Sequence, residues 1–115
     1  MRVIICGGRH YQMTPADHTW LDTLCITHVR HGAASGADYG AMCWARERGI
    51  PQQPYPAAWA TFGRAAGPKR NGWMLADLLK DKEGEPIAVI AFPGGTGTAD
   101  MVRRARAAGM PVLIP

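Results

Sequence analysis

The chain has 115 residues, 47% of them hydrophobic, with a net charge of +4. That is enough to bury a real core but leaves room for one domain only. No apolar run approaches the roughly 18 residues of a membrane span, and Met1-Arg2 passes straight into a β-like run rather than a secretory leader, so a cytoplasmic protein without membrane partners is expected.

Arg2 to Cys6 (RVIIC) is a short β-branched apolar run that stops at Gly7-Gly8-Arg9, the pattern of a buried strand followed by a tight loop. Thr14 suits a helix cap, Pro15 a first helical position and Asp17 the positive end of the helix dipole, so a helix is expected from Pro15 to Ile26, with Trp20, Leu21 and Leu24 on its apolar face. A short strand, His28 to His31, precedes the loop from Gly32 to Asp38. Helical spacing then runs from Tyr39 to Arg48 and stops at Gly49.

A third strand from Gln52 to Tyr55 leads into an irregular stretch reaching Gly67, and a third helix is expected from Pro68 to Leu79. Pro86 to Phe92 (PIAVIAF) is the most hydrophobic strand and should be central. The loop Pro93-Gly94-Gly95-Thr96-Gly97-Thr98 follows, then a helix from Ala99 to Ala108 closed by Gly109, and a last strand from Met110 to Ile114.

Strands alternating with helices, several of the strands solidly apolar, indicate one α/β domain, Rossmann-like, with helices on both faces of a five-stranded parallel sheet. The order 3-2-1-4-5 places the topological reversal between the first and fourth strands, where open α/β sheets bind ligands. The Gly7-Gly8 and Gly94-Gly95 loops would then flank one crevice.

Backbone that wraps a phosphate must aim several N–H groups inward without Cβ atoms near the anion, which is what glycine allows. The loop 93–98 sets three glycines and two hydroxyls between a strand end and a helix N-terminus, whose free N–H groups and partial positive charge suit an anion; an ordinary βα turn would need one glycine. Gly7, Gly8 and Arg9 are a weaker signal, with Arg9 a phosphate clamp or a solvated side chain. Ser35 and Gly36 offer further contacts, and Asp38 is either a helix cap or a partner for ribose hydroxyls.

Lys69 and Arg70 fall in the first turn expected of the third helix, where the dipole disfavours cations. Together with Asn71 they would face something negative, unless they form a solvated basic turn. Trp59 stacks on a base or packs against the protein itself or a second subunit, and Trp73 has the same alternatives. Trp20 and Trp44 fall on helix faces and suit core or interface. Cys6, Cys25 and Cys43 lack a C-x-x-C pair and read as buried free thiols. His28 and His31 point to opposite faces of a strand and make no metal pair. No metal or cofactor is called for. Arg103, Arg104 and Arg106 read as the solvated face of the last helix.

Taken in order, G-G-R, H-G-A-A-S-G-A-D, Y-P-A-x-W, G-P-K-R-N followed by Met74-Leu75, and A-F-P-G-G-T-G-T-A-D-M-V resemble the YspA-like, cpYpsA-related branch of the SLOG superfamily over nearly the whole chain. The resemblance implies a nucleotide-derived ligand and a homodimer or higher homo-oligomer. Its relatives include LOG phosphoribohydrolases, which carry P-G-G-x-G-T-x-x-E and an R-K pair, domains that sense NAD-derived signals, and the DNA-binding DprA proteins.

Here Met101 holds the glutamate position and Arg70-Asn71 the R-K position. Cleavage of a glycosidic bond needs a carboxylate near the anomeric carbon. Met101 cannot supply one, which leaves Asp100, about 100° further round the helix, or Asp38. Arg70, Asp100 and Asp38 are the catalytic candidates if the chain is an enzyme. Three readings follow: a binding module for a nucleotide or an ADP-ribose- or NAD-like molecule; a hydrolase of nucleoside 5′-monophosphates; and, ranked last because the basic residues form no single block, a binder of single-stranded DNA.

Overall fold

A computed structural model describes residues 1–115. Its elements run β1 (Arg2–Cys6), α1 (Pro15–Asp22), β2 (His28–His31), α2 (Ala37–Glu47), β3 (Gln52–Pro54), α3 (Trp59–Phe62), a 3₁₀ turn (Gly63–Ala65), α4 (Ala66–Lys80), β4 (Ile87–Ala91), α5 (Thr96–Ala107) and β5 (Val112–Leu113). All five strands are parallel in the order β3-β2-β1-β4-β5, as expected from the alternating pattern. In register, Arg2 to Cys6 pairs with Ile87 to Ala91, so β1 and β4 end side by side.

The two faces of the sheet explain why its central strands β1 and β4 are almost solidly apolar. Val3 and Ile5 of β1, with Ala88 and Ile90 of β4, pack with Leu21 of α1 and Ala41 and Trp44 of α2. Ile4, Cys6, Val89 and Ala91, one residue out of phase, pack with Met74 and Leu78 of α4 and Met101 and Ala105 of α5. Alternate residues thus enter two separate cores. Trp44 is buried with its indole N–H on Asp22 Oδ1 (3.0 Å), and Trp20 meets Phe92 edge-on at 6.3 Å.

Several boundaries differ from expectation, with α2 starting at Ala37 rather than Tyr39 and β5 covering only Val112–Leu113, and those of α1, α4 and α5 bear most on the site. Thr14 caps α1 as expected, its hydroxyl accepting the Asp17 N–H (3.1 Å) while Asp17 accepts the Thr14 N–H (2.9 Å). The helix nevertheless ends at Asp22 rather than Ile26, because the Thr23 hydroxyl takes the Trp20 carbonyl (2.6 Å) and Cys25 turns to φ +55°. The stretch before Gly67 is irregular only over residues 56–58, as expected there; from Trp59 on, α3 and the 3₁₀ turn run directly into α4, which starts at Ala66. Pro68 is tolerated in that first turn because its position lacks an intrahelical N–H partner. Lys69 and Arg70 therefore lie one turn inside the helix, not at its dipolar end. The last helix starts at Thr96, so half of the loop 93–98 is helical.

Two surface readings are also corrected. Cys25 is exposed and Cys43 partly so; only Cys6 is a buried thiol. Arg103 and Arg104 are not simply solvated, since both pair with the buried Asp100.

The opposite, N-terminal end of the sheet is held by buried arginines to which the sequence reading assigned no role. Arg2 Nε binds Glu85 (2.9 Å) and Arg30 Nη2 binds Asp81 (2.8 Å). The hydrogen bond from the Thr27 hydroxyl, with those from Arg2 and the N-terminal ammonium, pulls the Glu85 carboxyl down to about 2 from 4.5. Its folded pKa is depressed, so this contribution to stability is complete above pH 4.5 and is lost as pH falls towards 2. In acid titrations followed by urea melts, Glu85→Gln is expected to remove that part of the slope; an unchanged slope would show that Glu85 is not the group responsible. A hollow of about 290 Å³ opens here, but the arginines lining it are already paired.

No helix is long and apolar enough to cross a membrane.

Candidate functional site

The C-terminal ends of β1 and β4 deliver both glycine loops to one crevice of about 630 Å³. It is lined by residues 7–11 after β1, Ala34 from the β2–α2 connection, Asp38 from the first turn of α2, Arg70 from α4, and residues 93–98. Gly8 ties the loops together. Its N–H donates to the Pro93 carbonyl (2.8 Å), and its own carbonyl accepts from Tyr11 and Ala37, each at 3.1 Å. The Ser35 hydroxyl donates to the Arg9 carbonyl at 3.1 Å.

The glycines divide into two kinds. Some are dictated by the fold: a Cβ on Gly94 would collide with Thr98 Oγ1 and sit 2.6 Å from the Gly8 nitrogen, and one on Gly36, at φ +74°, would collide with the Gly8 carbonyl. Gly95 and Gly97 are different. A Cβ on either would meet nothing within 4 Å, and neither residue has a positive φ. They flank Thr96 at the start of α5, where no side chain caps the helix and the first-turn N–H groups have no partner within the chain.

Arg70 is a strut as well as a charge. Its Nη1 donates to the carbonyls of Gly32 (2.6 Å) and Tyr55 (3.3 Å), and its Nε to Asn71 Oδ1 (3.0 Å), which leaves the Nη2 donors unused on a side chain that lines the crevice. Burial lowers its pKa, partly offset by the Asp38 carboxylate. Asp38 is buried at the crevice wall and accepts the Ala34 N–H (3.3 Å). Burial raises its pKa against the opposing pull of that N–H and of Arg70. Cys6 lies under the same pair, and burial and the Asp38 charge push its thiol up to about 12, so it stays protonated.

Gly7, Gly8, Arg9, Asp38, Arg70 and the whole 93–98 loop thus come together. Ser35 and Trp59 line an adjoining chamber of about 400 Å³ that shares Arg9, Ala34 and Arg70 with the crevice. Gly36 is wedged behind the loops. Lys69 is exposed and turned away, its Nζ 5.0 Å from the Phe62 ring. Asn71 is buried and braces the start of α5, donating to the Gly97 carbonyl (3.2 Å) and Asp100 Oδ2 (3.1 Å).

Asp100 is buried outside the crevice, held by Asn71, Arg103 and Arg104. Met101 is fully buried in the core between α4, α5 and the sheet. His10, Tyr11 and Ala34 also line the crevice and were missed. Tyr11 stacks on Phe92 at 5.4 Å, a contact that no local pattern announces.

An open parallel sheet with glycine loops at its topological switch point defines a Rossmann-like α/β protein. The model of the YspA, cpYpsA-related SLOG family matches residues 1–62, more than half of the chain, and the chain belongs to that family. The match includes the first two loops and Trp59; α4 and the 93–98 loop lie beyond it. No curated protein matches the chain.

Proposed function

We propose that the crevice binds the phosphate of a nucleotide, or of a nucleotide-derived molecule of the ADP-ribose or NAD type, as a sensor or sequestering module. The observation that carries this reading is the pair Gly95 and Gly97: glycine is kept where neither packing nor φ requires it, at an uncapped helix start facing the crevice. Gly95 is the N-cap, where glycine is well tolerated, but Gly97 lies inside the helix, where glycine costs up to about 1 kcal/mol relative to alanine, and an anion seated against the amides gives that cost a purpose. Arg9 and the free edge of Arg70 supply cations, Asp38 an acceptor for sugar hydroxyls, and Trp59 a surface for a base in the second chamber.

Calorimetry against AMP, ADP-ribose and NAD is expected to show saturable binding that the unphosphorylated nucleoside lacks. Absence of binding to every phosphorylated nucleoside would defeat the proposal. The homodimer implied by the resemblance belongs to the same reading, and sedimentation would detect it as twice the chain mass.

A second reading is favoured by the position of Asp38. Of the two candidate carboxylates, it alone lines the crevice. In a hydrolase of nucleoside 5′-monophosphates, the N-glycosidic bond would break with its electron pair leaving on the base, Asp38 would stabilise the ribosyl cation, and water would add at C1′ and lose a proton. Asp38→Asn should then abolish release of free base while Asp100→Asn retains it; the reverse pattern, or release surviving in Asp38→Asn, would refute this mechanism.

A further inference from the structure

One buried ionisable side chain stands just outside the crevice. His31, at the C-terminal end of β2, is 2% exposed, and both of its ring nitrogens are engaged. Nδ1 faces the Ala33 N–H at 3.1 Å, and Nε2 faces Oε1 of Gln52 on β3. A backbone N–H can only donate, so Nδ1 keeps its lone pair and the ring proton sits on Nε2, donated to Gln52. That pattern exists only for the neutral imidazole.

What the ring holds is the loop behind the crevice. Ala33 lies in the left-handed region at φ +58°, which L-residues rarely adopt, and its N–H bonds to His31. The same loop offers the Gly32 carbonyl to Arg70 Nη1 (2.6 Å), the Ala34 N–H to Asp38 (3.3 Å) and the Ser35 hydroxyl to the Arg9 carbonyl (3.1 Å). The turn at Ala33 therefore sets where Arg70, Asp38 and Arg9 stand. Beside the ring a hollow of about 250 Å³, walled by Asp38, Met42, Arg46 and Gln52, gives it access to protons and room to turn.

We propose that His31 is a proton-sensitive latch on the crevice: its neutral ring holds the 32–36 loop in the form that binds phosphorylated ligands, and protonation releases the loop. The inference rests on the phosphate reading of the crevice and adds its regulation. A proton on Nδ1 sets N–H against N–H, and the turn at Ala33 loses the bond that offsets its strain. The surrounding charges pull in opposite directions. Asp38 of α2 favours the charged ring, whereas Arg46 of α2 and, beyond Asp38, Arg70 of α4 disfavour it. β3 presents the neutral Gln52 and Pro54, Tyr39 of α2 is exposed, and the Cys6 thiol of β1 stays protonated.

ADP-ribose is the probe, because its pyrophosphate keeps one charge state between pH 5 and 8 whereas a terminal monophosphate titrates at about pH 6. Calorimetry on the full chain is expected to show affinity falling at least about tenfold from pH 7.5 to 5, with a slope of no more than one proton. Protonation of His10, which lines the crevice, would strengthen anion binding instead, and comparison of variant with parent removes it. His31→Asn keeps an acceptor for the Ala33 N–H but takes no proton, so it should bind like the parent at pH 7.5 and lose most of the fall. Gln52→Glu sets a carboxylate against Nε2, favours the charged ring and should bring the fall on at higher pH.

An affinity that falls as steeply in His31→Asn as in the parent, or a fall at the parent's pH in Gln52→Glu, would overturn the latch and leave the phosphate reading intact. Ring nitrogen-15 shifts that place the proton on Nδ1 at pH 7.5 would do the same. If no phosphorylated nucleoside binds at any pH, it is the phosphate reading that fails. The latch is then decided in the free protein, where hydrogen-exchange protection of the Ala33 and Ala34 amides should drop in acid in the parent and not in His31→Asn; unchanged protection in the parent would overturn it.

Discussion

Gly97→Ala is expected to separate folding from function: nucleotide binding falls by at least about tenfold, which is about 1.4 kcal/mol, while the protein melts no earlier than the parent. The position lies in the first turn of α5, and a Cβ there meets nothing within 4 Å. Alanine is the better helix former by roughly 0.5–1 kcal/mol, so the folded state loses nothing by the change. What changes is the distance at which an anion can approach the amides of residues 96–98.

Gly94→Ala supplies the contrast. Its Cβ would collide with Thr98 Oγ1 and lie 2.6 Å from the Gly8 nitrogen, so the two glycine loops would have to move apart. Overpacking of this kind costs about 1–3 kcal/mol, and the melting temperature should drop together with binding. Thermal melts and calorimetry on the two variants decide the matter. If Gly97→Ala binds AMP and ADP-ribose as well as the parent, the open glycines are not a phosphate seat.

How much of this was legible in the sequence follows from how local each feature is. β1 and β2 are found at their expected limits because each is a short run cut off by glycine, RVIIC by Gly7-Gly8 and HVRH by Gly32, and the strand order follows from the alternation of strands and helices. The end of α1 was set by one hydroxyl, that of Thr23, competing for a backbone carbonyl. α3 went unseen because it is a single turn, and its Trp59 leans on Gly67 of the next helix, a partner no window around it contains.

The three-residue shift at the start of α5 mattered most for the site. Asp100 looked like a stand-in for the missing glutamate only while its surroundings were unknown. Buried among Asn71, Arg103 and Arg104, it fastens α5 to α4, and Met101 beside it completes the core. Charge and spacing alone could not distinguish a carboxylate that lines a crevice from one that ties two helices.

Arg70→Ala is expected to destabilise the protein by about 3 kcal/mol or more, the largest effect of any substitution considered. The guanidinium bridges the Gly32 and Tyr55 carbonyls and Asn71, and no other side chain supplies those donors. Its loss also isolates Asp38, whose carboxyl is already raised by burial and is held down in part by the Arg70 charge. Without that charge it rises further. A carboxyl raised in the folded state disfavours folding once it must ionise, so the penalty in Arg70→Ala should grow as pH rises from about 4 towards neutrality and shrink in acid, where Asp38 is protonated.

Adding Asp38→Asn to Arg70→Ala removes the stranded charge and should restore part of the stability at neutral pH without restoring binding. Arg70→Lys should recover less than its charge suggests, because an ammonium lacks the planar fork that serves two carbonyls and Asn71 together. Urea melts between pH 4 and 7 on the single and double variants test the coupling. A loss that is independent of pH, or a double variant no more stable than Arg70→Ala, would mean that Arg70 acts through its hydrogen bonds alone and that its charge does not hold down the Asp38 carboxyl beside the crevice.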